Sequence, residues 1–259
     1  MIKIIVSGAA GRMGSRILEL ASKNPKFKII GALESQNHPS IGKKILDGTI
    51  TIQAHLELFK EEFDVLIDFT SPEATLSHLR IIKNWNRVRA VIGTTGFSKE
   101  ETAFIQKISK KMPILISSNM SVGINLMFEI AKIIGRKLPN YDIEIIESHH
   151  NQKKDAPSGT ALTLAKELVE ELKRDFEDDL IYGRKGNVGK RKDKEIGIHS
   201  VRAGDIVGDH TVLFATQGER LELTHRASSR DAFATGALHA AEWISHQKPS
   251  LYSMKEVLR

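Results

Sequence analysis

The pattern of apolar and polar residues changes once along the chain. Over the first 120 residues, short apolar runs alternate with segments in which apolar residues recur every three to four positions. This alternation is typical of βαβ units, in which helices join the strands of a parallel sheet. The sequence therefore predicts an α/β region with strands at 3–6, 28–33, 65–68, 90–92 and 114–116.

Helix starts in this region carry local signals. Ser71 precedes Pro72, so a capping side chain stands before a proline at the first helical position. Residues 98–101 read Ser-Lys-Glu-Glu, which is the pattern of a capping box. The apolar-rich segment 122–138 is predicted to be a helix that leads out of this region.

The second half of the chain has a different order of elements. A strand is predicted at 142–147 and a helix from about Ser158, and three strands then follow without helices at 195–201, 211–215 and 221–225. Successive strands separated only by turn-like segments predict a mostly antiparallel sheet, and hence a second, α+β domain. Residues 228–231, Ser-Ser-Arg-Asp, predict a capped helix that continues to about Ser245.

The composition limits the class of protein. The chain has 259 residues, of which 41% are hydrophobic and 27% charged, as in an ordinary globular protein of one or two domains. No apolar run approaches the ~20 residues of a membrane span, and a strand starting at Ile2 leaves no room for a signal peptide. The absence of cysteine excludes disulfides, thiolate zinc sites and a thiol nucleophile. These features favour a cytoplasmic protein without a membrane partner.

The formal net charge of +6 is spread along the chain. Its densest cluster is the glycine-containing segment 184–192, which we interpret as a solvated loop. A lid over an anionic ligand and a nucleic-acid patch are the sharper alternatives. No aromatic residues alternate with the basic ones, as stacking on nucleic-acid bases would require, so no nucleic-acid partner is expected.

A glycine-rich turn follows the first predicted strand. Gly8, Gly11 and Gly14 have the spacing G-x-x-G-x-x-G, with Ala10 at the second glycine position of the usual dinucleotide-binding pattern. Alone, this spacing fits a plain tight turn equally well. The turn opens the first βαβ unit, however, and Glu34 stands at the end of the second strand, where an acidic side chain binds ribose hydroxyls. A dinucleotide site is therefore the favoured interpretation.

Two further turns follow later strands, at 93–96 and 117–120. Because ligands bind at the carboxyl ends of strands in open α/β sheets, these turns are candidates for the wall of a nicotinamide pocket. The alternative is that they only connect secondary-structure elements.

The segment 144–162, EIIESHHNQKKDAPSGTAL, gathers protonatable groups ahead of a helix start. A metal site is disfavoured because the adjacent His149 and His150 point to opposite faces of a strand, and because lysines lie nearby. Ser158 as a nucleophile lacks the glycine pattern of a nucleophile elbow. An anion-binding and proton-donating site is favoured, since His149 titrates near neutral pH and Lys153 adds a fixed positive charge.

The start of that helix strengthens this interpretation. The N–H groups of Gly159 and Thr160 lie where a carboxylate is favoured, and Asp155 or Ser158 is expected to cap the helix. A hydride-carrying cofactor together with a proton-donating site describes the reduction of a carbon–carbon or carbon–nitrogen double bond in an acidic small molecule.

The sequence resembles the 4-hydroxy-tetrahydrodipicolinate reductase (dihydrodipicolinate reductase) family of the diaminopimelate and lysine pathway. The resemblance covers nearly the whole chain and is carried by VSGAAGRMG, DFTSPE, VIGTTGF, SSNMSVGINL, IEIIESHHNQKKDAPSGTAL, SVRAGDIVGDHTV and LTHRASSRDAFATGAL. It implies reduction of a cyclic dicarboxylate by NADH or NADPH. It also implies a Rossmann-like dinucleotide-binding domain at 1–120 and 231–259, a substrate-binding and oligomerisation domain at 121–230, and a homotetramer.

The resemblance also implies roles for individual residues. His149 is the acid–base residue and Lys153 the second proton donor, while His150, Gly159 and Thr160 hold the substrate carboxylates. No metal is implied. The cofactor site would comprise Gly8, Ala9, Ala10, Gly11, Arg12, Met13, Glu34, Gly93, Thr94, Thr95, Ser117, Ser118, Asn119 and Met120.

One position departs from many members of that family. Where an arginine commonly follows the acidic residue and binds the 2′-phosphate of NADPH, this chain has Ser35 after Glu34. The preference for NADPH is thereby put in doubt, whereas the reaction is not. Two other functions stay open from the residues alone, a dinucleotide-sensing module without turnover and a related reductase of another acidic substrate. A sensor would have no need of the cluster from His149 to Thr160.

Overall fold

A computed structural model describes residues 1–60 and 62–258. The chain divides into two compact units. The first unit comprises Met1–Val122 and Arg230–Arg259, and the second comprises Gly123–Ser229.

The first unit is an α/β structure built on an eight-stranded sheet with the order β13-β7-β6-β5-β1-β2-β4-β3. Every pairing in this sheet is parallel except that of β3 with β4. The five predicted strands are all present, and the prediction of a parallel-sheet domain is confirmed. Its strands are β1 Ile2–Ser7, β2 Phe27–Leu33, β3 Lys44–Ile45, β4 Ile50–Gln53, β5 Val65–Asp68, β6 Arg89–Ile92, β7 Ile114–Ile116 and β13 Leu251–Tyr252. Its helices are α1 Arg12–Ser22, α2 Pro72–Ile82, α3 Lys99–Ser109, α6 Asp231–Ile244 and α7 Met254–Val257, with a 3₁₀ helix at Leu56–Phe59.

Helices cover both faces of this sheet. Side chains alternate along β1, so that Ile4 and Val6 pack into the apolar cluster beneath α1 and α6, while Ile5 packs into the cluster beneath α2 and α3. Local signals start two of the helices as predicted. The Ser71 hydroxyl accepts a hydrogen bond from the Ala74 N–H at the start of α2, and a reciprocal capping box starts α3.

Helix α6 returns the chain to the first unit. Gly236 makes its close packing possible, because a Cβ atom there would lie 1.7 Å from the Met120 carbonyl oxygen. The predicted side-chain cap at 228–231 is wrong in detail. The N-cap residue is Arg230, which has helical backbone angles and makes no side-chain capping bond. The Asp231 carboxylate accepts two hydrogen bonds of 2.6 Å from Arg16 on α1.

The second unit contains a five-stranded sheet with the order β12-β11-β8-β10-β9. Strand β11 pairs antiparallel with both β8 and β12 along nearly its whole length, so the predicted mostly antiparallel sheet is confirmed. Strands β9 and β10 add parallel pairs beside β8, which the sequence pattern did not reveal. The elements are α4 Val122–Lys137, β8 Asp142–His149, α5 Gly159–Leu172, β9 Leu180–Tyr182, β10 Ile196–Arg202, β11 Asp209–Thr216 and β12 Glu219–Arg226.

The core of the second unit lies on one face of this sheet, beneath α4 and α5. The segment 184–192 lies against the other face, and the interpretation as a solvated loop is only half right. Its lysines are exposed, but Arg184 and Arg191 both bond to Glu144 on β8. None of the helices in the described residues has the length and apolar character that crossing a membrane requires.

Candidate functional site

The glycine turn between β1 and α1 is too tight for side chains at two positions. Gly8 has φ +77°, and a Cβ atom there would lie 2.4 Å from the Phe69 carbonyl oxygen. A Cβ atom at Gly14 would lie 2.1 Å from the carbonyl oxygen of Gly8. The turn is therefore held close to both β5 and its own helix, as in a loop whose backbone approaches a phosphate.

Four amides of the turn already donate hydrogen bonds to other groups of the protein. The N–H groups of Gly8 and Ala9 both donate to the Leu33 carbonyl at 3.0 Å, that of Ala10 donates to the Glu34 carboxylate at 3.0 Å, and that of Gly11 donates to the Gly8 carbonyl at 2.9 Å. Amides in the first turn of a helix have no intrahelical acceptor, and they point toward the positive end of its dipole. The donors suited to a pyrophosphate are therefore those of Arg12, Met13 and Gly14, of which Gly14 was missing from the predicted set.

Glu34 directly follows β2 and faces the turn. Its two carboxylate oxygens accept from the N–H groups of Ala10 and Ser35, at 3.0 and 3.1 Å. These bonds fix the position of the carboxylate, and each oxygen keeps a lone pair that can accept from a ribose hydroxyl. Glu34 lines a cleft of about 480 Å³ at the carboxyl ends of the strands. The cleft is lined by Ser7, Gly8, Ala10, Gly11, Glu34, Ser35, His38, Ala54, Phe69, Thr70, Ser71, Ala74, Ser77 and His78.

The predicted residues after β6 divide between interior and surface. A Cβ atom at Gly93 would lie 2.1 Å from the Phe69 ring, so glycine permits this close packing. Thr94 is buried, and its hydroxyl accepts from the Thr70 N–H at 3.0 Å within a cluster around the buried carboxylate of Asp68. Thr95 is exposed.

The predicted residues after β7 form a compact turn. The Ser117 hydroxyl donates to the Asn119 carbonyl at 2.7 Å, and the Asn119 side-chain oxygen accepts from the Ser121 N–H at 2.9 Å. Met120 is buried, whereas Ser118 is exposed. The turn therefore presents Ser118 to solvent, while its neighbours hold it in shape.

The second cluster lies at the end of β8 in the second unit. His149 and Glu147 are two residues apart on this strand, so both side chains lie on the same face of the sheet. The distance from the His149 Nδ1 to the Glu147 carboxylate is 2.5 Å. Both side chains are buried, with 11% of the histidine side chain and none of the carboxylate exposed.

Glu147 is an ionised carboxylate inside the fold. Burial acts to raise the pKa of Glu147, but hydrogen bonds from Arg202 and His149 outweigh it and bring the pKa to about 2. The two terminal nitrogens of Arg202 donate to the two oxygens at 2.8 and 2.9 Å, and the Ser158 N–H donates at 3.2 Å. A carboxylate in this state only accepts hydrogen bonds.

The state of Glu147 determines the tautomer of His149. Because Glu147 cannot donate, the His149 Nδ1 must carry the proton between them, which leaves Nε2 for chemistry. A Cβ atom at Gly208 would lie 3.1 Å from this Nε2, so glycine leaves the nitrogen open on that side. Burial lowers the pKa of His149 below its usual value, although the Glu147 carboxylate acts to raise it.

Ser158 is a helix cap. Its hydroxyl accepts from the Ala161 N–H at the start of α5 and lies 3.1 Å from the Nε2 of His210. Burial lowers the pKa of His210 to about 3, so its ring is neutral, and it packs edge-on against the His149 ring at 5.2 Å between centroids. Of the two predicted caps for α5, Ser158 is therefore the correct one. Asp155 instead pairs with Lys153, with 3.0 Å between Nζ and Oδ1.

The other predicted residues surround this cluster. His150 follows β8 and is half-buried, and its carbonyl accepts from the Lys153 N–H. Gly159 and Thr160 are the first two residues of α5, and the N-terminal end of a helix favours a bound anion. The structure thus brings His149, Lys153 and the start of α5 to one end of β8. In the described part of the chain, no group of three acidic or histidine side chains is arranged to hold a metal ion.

The sequence predictions missed several residues near these two sites. Glu147 could have been found from the period of two along a strand, which places it on the face of His149. Arg202 and Gly208 could not, because only the register of β10 and the path of the chain after it bring them to His149. In the cleft of the first unit, the side chains of His38 and His78 were also missed.

Comparison with known proteins covers the whole chain. The family described as "Dihydrodipicolinate reductase, N-terminus" matches residues 2–120, and the family described as "Dihydrodipicolinate reductase, C-terminus" matches residues 123–258. The 4-hydroxy-tetrahydrodipicolinate reductase of Syntrophus aciditrophicus is 48% identical over 100% of this chain and 98% of its own, and that of Nitrosomonas europaea is 45% identical over 99% and 98%. The dipicolinate-bound dihydrodipicolinate reductase from Paenisporosarcina sp. TG-14 has a similar structure, with a TM-score of 0.80, 26% identity and 100% coverage of both chains.

Proposed function

Because the chain belongs to the dihydrodipicolinate reductase family, we propose that it reduces 4-hydroxy-tetrahydrodipicolinate (dihydrodipicolinate) to tetrahydrodipicolinate with NADH or NADPH. This reaction is a step of diaminopimelate and lysine biosynthesis. The observation that carries the proposal is the match of both halves of the chain, end to end, with enzymes of this one activity.

The first unit, predicted as 1–120 with 231–259, is proposed to bind the dinucleotide. Its glycine turn has no room for side chains at Gly8 and Gly14, and the amides at the start of α1 are oriented to bind phosphate. Glu34 has spare acceptor capacity for ribose hydroxyls beside a cleft of about 480 Å³. When bound, the dihydronicotinamide supplies the hydride.

The second unit, predicted as 121–230, is proposed to bind the dicarboxylate substrate. The first-turn amides of Gly159 and Thr160 favour one carboxylate, and Lys153 and His150 add charge and hydrogen-bond donors at the same end of β8. The dipicolinate bound to the Paenisporosarcina enzyme is a planar dicarboxylate, and a substrate of that class suits this set of groups.

His149 is proposed to transfer the proton through Nε2, with Lys153 as a second donor. The free enzyme holds the ring mainly neutral at neutral pH, because burial lowers its pKa. Two carboxylates arriving with the substrate favour the protonated ring, since nearby negative charge stabilises an imidazolium. Substrate binding therefore prepares His149 to act as a general acid.

NADH is proposed to be used at least as well as NADPH. Glu34 would repel a 2′-phosphate, and Ser35 offers a hydroxyl in place of the usual arginine. Among the described residues that line the cleft there is no lysine or arginine, and His38 and His78 are its only basic side chains.

A cytoplasmic homotetramer is proposed from the family resemblance. The second unit supports it with apolar side chains on the face of its sheet away from the core, where Ile146 and Val201 are 39% and 42% exposed. Burying such residues against another subunit is favourable.

The test is to follow nicotinamide absorbance with enzymatically generated substrate, with NADH and NADPH in parallel. The wild type should oxidise the cofactor only when substrate is present. His149→Gln should lower kcat by roughly 10²–10⁴-fold without changing cofactor affinity. The control is His239→Gln, which alters an exposed histidine on α6 and should leave turnover unchanged. Cofactor binding without turnover in the wild type would favour the dinucleotide sensor instead.

A further inference from the structure

Glu147 and Arg202 form a buried ion pair directly behind His149. The Glu147 side chain has no exposed surface, and Arg202 donates to both of its oxygens at 2.8 and 2.9 Å. Two charges removed from water in this way stabilise a fold little, and apolar side chains of the same volume often serve as well. Stability alone therefore gives no reason for this pair.

The geometry of Glu147 gives a different reason. Its carboxylate oxygens accept hydrogen bonds from the two terminal nitrogens of Arg202, the Ser158 N–H and the His149 Nδ1. The carboxylate is thereby prevented from rotating, and with it the imidazole ring. The Nε2 atom stays on the side of Gly208, where the chain leaves room for it.

We propose that Glu147 and Arg202 are positioning residues for His149. Glu147 fixes the Nδ1–H tautomer and the orientation of the ring, and Arg202 holds Glu147 ionised and in place. The proposal rests on the proposed function of His149 and adds two residues that do not touch the substrate. A carboxylate that orients a catalytic histidine in this way is a recurring arrangement in acid–base sites.

The charged and titratable groups around His149 lie on three strands and one connecting segment. Glu147 lies on β8 itself, Arg202 on β10 and the neutral His210 on β11, while Lys153 lies in the segment after β8. The carboxylate raises the pKa of His149, whereas burial and the charges of Lys153 and Arg202 lower it. Because the carboxylate is in direct contact, removing the pair together should make the ring harder to protonate.

The double variant Glu147→Gln/Arg202→Met tests the proposal. It removes both charges at once, so no unpaired charge is left inside the fold. We expect kcat to fall at least tenfold, as it does when the group that orients a functional histidine is lost. KM should change less than threefold, because Lys153 and the start of α5 remain. The limb of the pH profile that reports His149 should move to lower pH.

Nuclear magnetic resonance of the histidine rings provides a readout that needs neither substrate nor turnover. His149→Gln assigns the His149 signals among the ten histidines of the chain. The wild type should show the Nδ1–H tautomer at neutral pH, and the double variant should show a lower titration midpoint. Arg202→Lys keeps the charge but loses the two-pronged contact, and it should give an intermediate kcat.

Two results would overturn the proposal. One is an Nε2–H tautomer in the wild type, which is measured whether or not any variant folds. The other is a folded double variant with the wild-type titration and the wild-type kcat. If the wild type shows the expected tautomer but does not reduce the substrate, the proposed function fails while the positioning of His149 stands.

Discussion

Glu144 connects the basic segment 184–192 to the sheet of the second unit, and its loss should destabilise that unit in a pH-dependent way. Its carboxylate accepts from Arg184 at 2.9 and 3.0 Å and from Arg191 at 3.2 Å, and it lies 2.7 Å from His199. Gly197 on β10 makes room for it, because a Cβ atom there would lie 1.8 Å from a carboxylate oxygen.

The size of the effect follows from the pKa of Glu144. Burial acts to raise this pKa, but hydrogen bonds from Arg184, His199 and Arg191 outweigh it and bring the pKa from 4.5 to about 2. At 1.36 kcal/mol per pKa unit, the difference is about 3 kcal/mol. Because 15% of the side chain is exposed, we reduce this to about 2 kcal/mol for solvent screening.

The sign of the pH dependence is set by the lowered pKa in the folded state. The contribution is complete above the unfolded pKa of 4.5 and is lost as pH falls toward the folded value of about 2. Glu144→Gln should therefore lower the free energy of unfolding by about 2 kcal/mol at pH 7 and by only about 1 kcal/mol at pH 3.

The assay must report on the second unit. Trp85 and Trp243 both lie in the first unit, so tryptophan fluorescence is unsuitable. Urea titration followed by hydrogen exchange of peptides from β8 and β10 gives the local free energy at each pH. The control is Glu222→Gln, which breaks the exposed pair with Arg220 on the same sheet and should cost less than about 0.5 kcal/mol. The reasoning is refuted if the two variants lose equal stability, or if the deficit of Glu144→Gln is as large at pH 3 as at pH 7.

Three further outcomes are expected. Gly14→Ala should destabilise the first unit by about 1–3 kcal/mol and weaken NADH binding, because its Cβ atom would lie 2.1 Å from the backbone of the turn. Gly11→Ala is the control: the nearest atom to its Cβ would be 3.1 Å away, so it should lower the thermal stability clearly less. Ser35→Arg should shift the ratio of kcat/KM for NADPH to kcat/KM for NADH toward NADPH, most strongly at low salt. A wild-type preference for NADPH of about tenfold or more would show that another basic group binds the 2′-phosphate. Lys153→Met should raise KM and lower kcat together. Thr160→Val should mainly raise KM, because its backbone N–H remains. If both variants bind pyridine-2,6-dicarboxylate as tightly as the wild type, the substrate pocket lies elsewhere.

The strands and helix starts could be predicted because local physics determines them. The strand at 65–68 is buried along its whole length, and the apolar run that fills most of it is visible in the sequence. The Ser71 and Ser98 hydroxyls each accept a hydrogen bond from an N–H group only three residues later. The short strands β3, β4, β9 and β13 were missed, because two to four residues are too few to show a period.

The sites were predicted less completely, because side-chain contacts cross long stretches of sequence. The Ala10 amide looks available to a phosphate in the sequence, yet Glu34, 24 residues later, accepts its hydrogen bond. Arg202 lies 53 residues from His149 and reaches Glu147 only through the register of β10 against β8. The roles of the individual residues, and the assignment of the dinucleotide to the first unit and of the substrate to the second, stay predictions that ligand-binding measurements test.

The path of the chain through the first unit has a consequence for its biosynthesis. Helix α6 supplies Ala234, Ala237 and Ala241 to the same apolar cluster as Val91 and Leu115, yet it is translated after the whole second unit. At 5–20 residues per second, the ~120 residues between 122 and 244 take roughly 6–24 s to make. During that time the face of the sheet that α6 covers stays exposed. The second unit ends at Ser229, so all of its residues are made before α6 is. The unit that begins the chain is therefore the last to complete its core, and until then the apolar face of its sheet is where the nascent chain exposes hydrophobic surface.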